Sequence, residues 1–510
     1  MIFLGYYLAG VLLMGLGYFV ERSAALGLAY GAACIVFSGT YIVYFGLLRS
    51  VQRSYLNWVY LFFLFPKKAL PENSSSLLGQ WFDAQRFSFF EYFELTVVVA
   101  LLIRSMRSRQ VRSSFLRQTL TAKVFFCGLC LMVAVGAGHF LLRAGEIAGH
   151  YESPLKIWRT LWPLVVAVVV WVPSPFVLTD SGIVARIRKV ALFTGVVLVA
   201  EFLVSAGTQL VPESIRYYMY DVDTGGFRSA WQSSGFESGL LLSLLLIFAL
   251  PFIYPTCWSR HKVLSVVLAG LFLLVIAQTY WRGPLVGGLG AAFLVAWLAA
   301  RRFRWLIVAA ACAAVLGVTA NWSGKYLLVK ELGLENAKDE GTSYFNLETL
   351  SHRFGAQIRG FEVFSYYPLF GCGPGNLSMA MGDAGIPPVL DYREMSEKSR
   401  EMYRSVTDPA YASNTHNLLV DLSAQYGVVG LTTCLLFLFI LGCSGIRVYR
   451  TTNGPGAGSL ATIRTRIAAI SSLAGFCVYY TTQAAPLVFG CMALLYHMAD
   501  RPGNTDRCET

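Results

Sequence analysis

Runs of apolar residues, most near the length a helix needs to cross a bilayer, recur along almost the whole chain. They fall at roughly 2–20, 24–48, 53–66, 87–103, 119–142, 161–179, 189–206, 236–255, 263–280, 283–299, 304–320, 418–446, 467–482 and 485–499. About 20 apolar residues span the hydrocarbon core, and a helix can lie there because it satisfies its own backbone groups. The pattern therefore predicts an all-α fold, a polytopic integral membrane helical bundle of about 12–14 transmembrane helices. The third and last runs are the shortest. The opening MIFLGYYLAGVLLMGLGYFVER lacks a basic n-region and a clear cleavage site, and reads as a retained first helix.

Two stretches interrupt the pattern, at 207–235 and 321–417, and the second is far longer than an ordinary connector. They divide the chain into N-terminal transmembrane helices (1–206), core transmembrane helices with a first external loop (207–320), a large, partly helical extracytoplasmic loop (321–417), and C-terminal transmembrane helices with a short cytoplasmic tail (418–510). Within the long loop, Phe354, Ile358, Phe361 and Val363 recur at helical spacing, and 391–406 reads as a surface amphipathic helix. The Gly-rich stretch 454–458 reads as a flexible linker.

Composition agrees: 56% of residues are hydrophobic and 14% charged, against about a quarter charged in a soluble domain. The net charge of +12 raises nucleic acid as a partner, but its placement excludes that reading. Arg104, Arg107, Arg109, Arg112, Arg117 and Lys123 share one connector without an acidic residue, and Arg186, Arg188, Lys189, Arg301, Arg302 and Arg304 form two more groups. Such grouping marks cytoplasmic connectors. With a cytoplasmic N-terminus these connectors, and Arg447, Arg450, Arg464 and Arg466, all lie inside. The loop 321–417 then lies outside, with nine Lys or Arg against twelve Asp or Glu. Eleven cysteines are scattered through apolar runs and suggest no disulfide framework; Cys127 and Cys130 form a CxxC within a span, where packing is the simpler role. No metal or other cofactor is expected. External carboxylates and His/Cys do not cluster at ligand spacing, and SGKYL at 323–327 lacks the upstream glycine of a phosphate loop.

This topology brings Arg228, Arg282, Arg353, Arg359 and the pair His416–Asn417 to one membrane face. Each has a local alternative. An arginine at a helix end snorkels to headgroups, Arg353 and Arg359 suit the solvated face of a helix, and a polar residue before a helix serves as its cap. Glu94 and Glu201, inside spans, keep a transporter open, since ionisable groups at mid-bilayer mark ion or substrate paths.

Three stretches together resemble the O-antigen ligase and polymerase superfamily of membrane glycosyltransferases. SHRFGAQIRGFEVFSYYPLFGCGPGNLS (351–378) is similar to the family's arginine, aromatic-rich helix and Pro-Leu-x-Gly-x-Gly-x-Gly-Asn, here Arg353, Gly371, Gly373, Gly375 and Asn376. THNLLVDLSAQYGVVGL resembles its His-Asn followed by Gly-x-x-Gly, here His416, Asn417, Gly427 and Gly430; TYWRGPLVGGL carries an Arg-Gly at Arg282. FRSAWQSSGFESG resembles the family's arginine-bearing loop at Arg228. Where the family commonly has a glutamate, this chain has Gln425, with Asp421 one turn earlier as the available acid.

The resemblance implies transfer of a glycan from an undecaprenyl pyrophosphate carrier to a hydroxyl acceptor on a glycan, lipid or protein. It also implies location in the bacterial inner membrane with the active face extracytoplasmic. Ligation and repeat-unit polymerisation use the same chemistry and both stay open. Because the donor carries its own leaving group, the site needs a cationic clamp and a base. Arginine's planar fork binds phosphate oxygens bidentately, which assigns Arg282 and Arg353 to the pyrophosphate, with Arg228 and Arg359 as further candidates. His416, of a residue type that titrates near working pH, becomes the base, and Asn417 its holder or a helix cap. The backbone of Gly371–Gly375, with Asn376, is expected to shape the donor site.

Overall fold

Lipid offers the backbone no hydrogen-bond partners, and every regular element among the described residues is helical. The computed structural model describes residues 2–17, 24–65, 89–150, 154–207, 238–258, 261–279, 282–299, 347–377, 380, 417–453, 460–480 and 489–500. Its helices are α1 (Ile2–Gly17), α2 (Ala24–Tyr41, extended by a π-helical turn Ile42–Leu48), α3 (Val51–Leu64), α4 (Phe89–Arg107), α5 (Arg109–Leu116), α6 (Leu120–His150), α7 (Pro154–Trp171) and α8 (Ser181–Gly207). They continue with α9 (Ser238–Ala249), α10 (Lys262–Gln278), α11 (Arg282–Ala299), α12 (Leu347–Tyr366), α13 (Leu418–Asn453), α14 (Leu460–Tyr480) and α15 (Phe489–Ala499).

Ala29–Leu48, Leu120–Leu142 and Leu418–Arg450 are each long and apolar enough to cross a membrane, and further apolar helices are shorter. The protein is thus a helical membrane protein. The expected runs coincide with these helices except at 236–255, where α9 ends at Ala249 and a 3-10 turn Leu250–Phe252 and a short helix Ile253–Thr256 follow, and at 161–179, where α7 ends at Trp171 and a separate turn, Ser174–Val177, follows. Pro173 and Pro175 lack the N–H donors that a continuous helix would need there. The run 304–320, the expected helix at 391–406, the loop 207–235 and the stretch 454–458 lie outside the described residues.

Close packing rests on small residues, as expected where lipid competes equally for apolar side chains. α11 lies along α14, and a Cβ on Gly475 would stand 2.7 Å from the Gly287 carbonyl oxygen. α6 lies along α13, where a Cβ on Gly128 would meet Thr433 Oγ1 at 2.5 Å. Inside the bundle, Glu94 is buried and accepts a hydrogen bond from Trp162 Nε1 at 2.9 Å.

The feature that positions the candidate site is a break in α13. Gly427 adopts φ 63° and ψ −146°, so the helix kinks and its ladder opens. Val428 N–H, which would have bonded to the carbonyl of residue 424, donates instead to the Pro368 carbonyl at 2.7 Å. The freed carbonyls are taken up in turn: Ala424 accepts from Cys372 N–H at 2.9 Å and Gln425 from Gly373 N–H at 3.0 Å. The segment after α12 is thereby clasped to the kink, backbone to backbone. The approach is close enough that a Cβ on Gly371 (φ 69°) would lie 2.2 Å from the Gln425 carbonyl carbon, and one on Gly427 2.5 Å from that of Leu369. Gly430 completes the Gly-x-x-Gly pattern for a different reason, since a Cβ there would fall 2.1 Å from the Leu422 carbonyl oxygen across the kink.

Gly427→Ala is accordingly expected to destabilise the protein by about 2 kcal/mol or more, from backbone strain and contact together. Gly442→Ala, in the same helix with nothing within 4 Å of the added Cβ, should be neutral or gain about 0.5–1 kcal/mol. Thermal unfolding of the two detergent-purified variants checks the contrast; equal melting temperatures would contradict the clasp.

Candidate functional site

α12 carries Arg353 and Arg359 and enters the clasp directly: Tyr367 N–H continues its ladder to Val363 and Gly371 N–H bonds to the Tyr367 carbonyl. The expected apolar stripe does not face the protein uniformly. Val363 is fully buried, but Ile358 is 47% and Phe361 50% exposed, while Arg359 is only 4% exposed. Hydrophobic spacing on α12 therefore does not identify its packed face. Arg359 is therefore a buried residue and not part of a solvated face. Val363, Cys372, Leu377, Ala380 and Ala424 form a small apolar core beneath the turn.

Side chains reinforce the backbone clasp. Gln425 accepts from Gly375 N–H through Oε1 at 3.2 Å and donates through Nε2 to Asp421 Oδ2 at 2.8 Å. Both ends fix the amide's orientation, because a peptide N–H must meet oxygen and a carboxylate must meet NH₂. A glutamate at this position could accept from Gly375 but, ionised, could not donate to Asp421. Asp421 N–H in turn donates to the Asn417 carbonyl at 2.8 Å, as the first bond of the helical ladder.

Asn417 is the cap. Its Oδ1 accepts from Leu419 N–H at 3.0 Å and Val420 N–H at 3.4 Å, satisfying donors that a helix start leaves unpaired. Asn417, Asp421 and Gln425 thus form one polar line at four-residue spacing along the first turns of α13. That spacing was the signal available in the sequence for Asp421 and Gln425 acting together. On the other side of the turn, His139 of α6 lies 3.3 Å through Nε2 from the Phe370 carbonyl oxygen, and a Cβ on Gly373 would meet its ring at 2.8 Å. The reading of the sequence missed His139, which nothing local to it distinguishes.

The glycine turn offers shape and not free donors. The N–H groups of Gly371, Cys372, Gly373, Gly375 and Asn376 all have acceptors within the protein. Asn376 is itself buried and internal, with Nδ2 donating to the Cys372 carbonyl at 3.3 Å and its own carbonyl accepting from Ala380 N–H at 3.0 Å.

Of the expected site residues, the structure brings together Gly371, Gly373, Gly375 and Asn376 at the kink of α13, while Asn417 caps the start of that helix and Arg359 is buried on α12. Arg353 lies on α12, six residues before Arg359, or about 9 Å along the axis at the helical rise, and Arg282 is the first residue of α11. Arg228 and His416 lie outside the described residues; His416 immediately precedes the cap Asn417 in sequence. The arrangement fastens the turn that follows an arginine-bearing helix to the kink of a capped helix.

No curated protein matches the chain. Residues 264–435, which take in α12, the glycine turn, the cap and the kink, match the family model described as O-antigen ligase. The match, over about a third of the chain, supports the resemblance to the O-antigen ligase/polymerase superfamily to which the three motifs pointed.

Proposed function

We propose that the protein is a lipid-linked glycan transferase, moving a glycan from an undecaprenyl pyrophosphate carrier to an acceptor hydroxyl at the extracytoplasmic face of the bacterial inner membrane. The observation that carries this reading is the clasp within the matched segment, which fastens the turn after the arginine helix α12 to the kink of α13. In this reading Arg353 and Arg282 clamp the pyrophosphate and stabilise charge developing on the leaving oxygen. Arg228 and Arg359 contribute further positive potential. His416 takes the acceptor's proton, and Asn417 holds the helix start on which His416 is mounted. The glycine turn and Asn376 act as the frame. The domain boundaries at 206, 320 and 417 follow the same division into scaffold, core and external loop.

Ligation and polymerisation share this chemistry and differ in product. Lipid-linked glycans extracted from a strain lacking the gene separate them: single repeat units on carrier lipid signify a polymerase, long unligated chains a ligase. Anion transport, the competing class, would draw on ionisable groups at mid-bilayer. Of the two candidates named, Glu94 accepts from the Trp162 indole and Glu201 is a half-buried residue of α8.

His416→Ala is expected to lower transfer about 10²–10⁴-fold, the usual worth of general-base help, with unchanged protein level in the membrane. Arg353→Ala should act as severely. Arg353→Lys should retain part of the activity, because it keeps the charge but loses the bidentate fork. Complementation of the deletion strain, read by glycan analysis and quantitative immunoblot, checks all three. Full activity of His416→Ala and Arg353→Ala would remove the mechanism.

A further inference from the structure

Asp421 and Gln425 have no place in the reaction as so far described, yet both are buried and both connect its parts. Two side-chain links run in series, Gly375 N–H to Gln425 Oε1 at 3.2 Å and Gln425 Nε2 to Asp421 Oδ2 at 2.8 Å, and the backbone of Asp421 makes the first ladder bond of α13, its N–H donating to the Asn417 carbonyl at 2.8 Å. One end is the glycine turn that follows the arginine helix. The other is the capped first turn of α13, next to His416. An acidic residue in that turn is also favoured by the unpaired N–H groups of the helix start.

We propose that Asp421 and Gln425 form a polar relay of positioning residues that sets the glycine turn and the His416–Asn417 helix mouth in register, and that it works with one carboxylate and one amide. This rests on the transferase reading above. The relay has a direction: the turn's N–H demands an oxygen from position 425, so position 425 can give its second contact as a donor to a carboxylate at 421 or accept one from an amide there. Asp421 with Gln425 is one solution. The exchanged pair, an amide at position 421 with a carboxylate at position 425, would be the other, with the same number of hydrogen bonds and the same net charge.

Gln425→Glu alone sets two carboxylates within hydrogen-bond distance, where like charges cannot both ionise without cost and one proton is shared. The charged form of that pair is the strained one. Both stability and transfer of this variant should therefore fall as pH rises from 6 to 8 and recover as pH is lowered. The expected loss of transfer at pH 8 is about tenfold or more, the worth of a charge-assisted hydrogen bond. Asp421→Asn alone keeps a neutral hydrogen bond to Gln425, so melting should change little while transfer drops. The double variant Asp421→Asn with Gln425→Glu should recover both quantities and lose the pH dependence.

The experiment measures melting temperature and glycan transfer for the four detergent-purified full-length proteins at pH 6 and 8, with lipid-linked glycan extracted from the deletion strain as donor. Recovery in the double variant, in melting and in transfer, supports the relay. No recovery in either quantity, or single variants indistinguishable from the native protein at both pH values, overturns it. Recovery of melting with transfer unaffected throughout also overturns it, by reducing the pair to a structural contact. The melting pattern does not depend on the reaction, so loss of the transferase reading through active His416→Ala and Arg353→Ala variants would be seen separately from loss of the relay.

Discussion

A backbone that leaves its helical ladder inside an apolar medium must find partners for every group it frees, and that requirement organises this site. At Gly427 the ladder of α13 opens, and an unpaired peptide group in such surroundings costs several kcal/mol. Ala424 and Gln425 carbonyls and the Val428 N–H recover their bonds only from Pro368, Cys372 and Gly373. The kink and the glycine turn are thus one structure, and neither satisfies its backbone without the other. Non-helical backbone within a membrane protein is tolerated where it is enclosed by protein in this way.

This coupling gives a physical reason for two motifs that stand some fifty residues apart. Pro-Leu-x-Gly-x-Gly supplies a carbonyl, two N–H groups and a surface without side chains. Gly-x-x-Gly supplies the left-handed residue at 427 and the space at 430. The Gln425 side chain then ties the same junction, from Gly375 N–H on one side to the Asp421 carboxylate on the other. It does so with the donor and acceptor roles fixed at each step.

The helices were legible in hydropathy almost throughout, because a bilayer imposes one length and one composition on whatever crosses it. The exception at 172–175 had its cause in plain view in two prolines. The site was legible in parts: glycine positions, the cap residue and the arginine helix all stand in the sequence. Its assembly was not, since backbone pairing between 368–373 and 424–428 leaves no trace in hydrophobic spacing. Hydrophobic spacing also misleads about α12, where Ile358 and Phe361 face outward and Arg359 inward. The identity of residue 425 illustrates a finer limit. An amide in place of an acid looked like the loss of a charge, whereas it is the group that can serve Gly375 and Asp421 at once.

For the proposed transfer, rigidity of this kind has a direct use. A cationic clamp stabilises a departing phosphate only insofar as its charges are already in place when the bond breaks, because reorganising them then would consume the gain. Arg353 and Arg359 ride on a helix whose following turn is bound to α13 by three backbone hydrogen bonds and one from Gly375 N–H to the Gln425 side chain. The start of α13 is held by its own cap in the same structure. The clamp and the base would therefore be mounted on two ends of one braced junction, so that their separation is set by the fold before either substrate arrives. Proximity of this sort is worth most when a misplacement of about 1 Å is prevented at its source, and in this protein that source is the glycine turn.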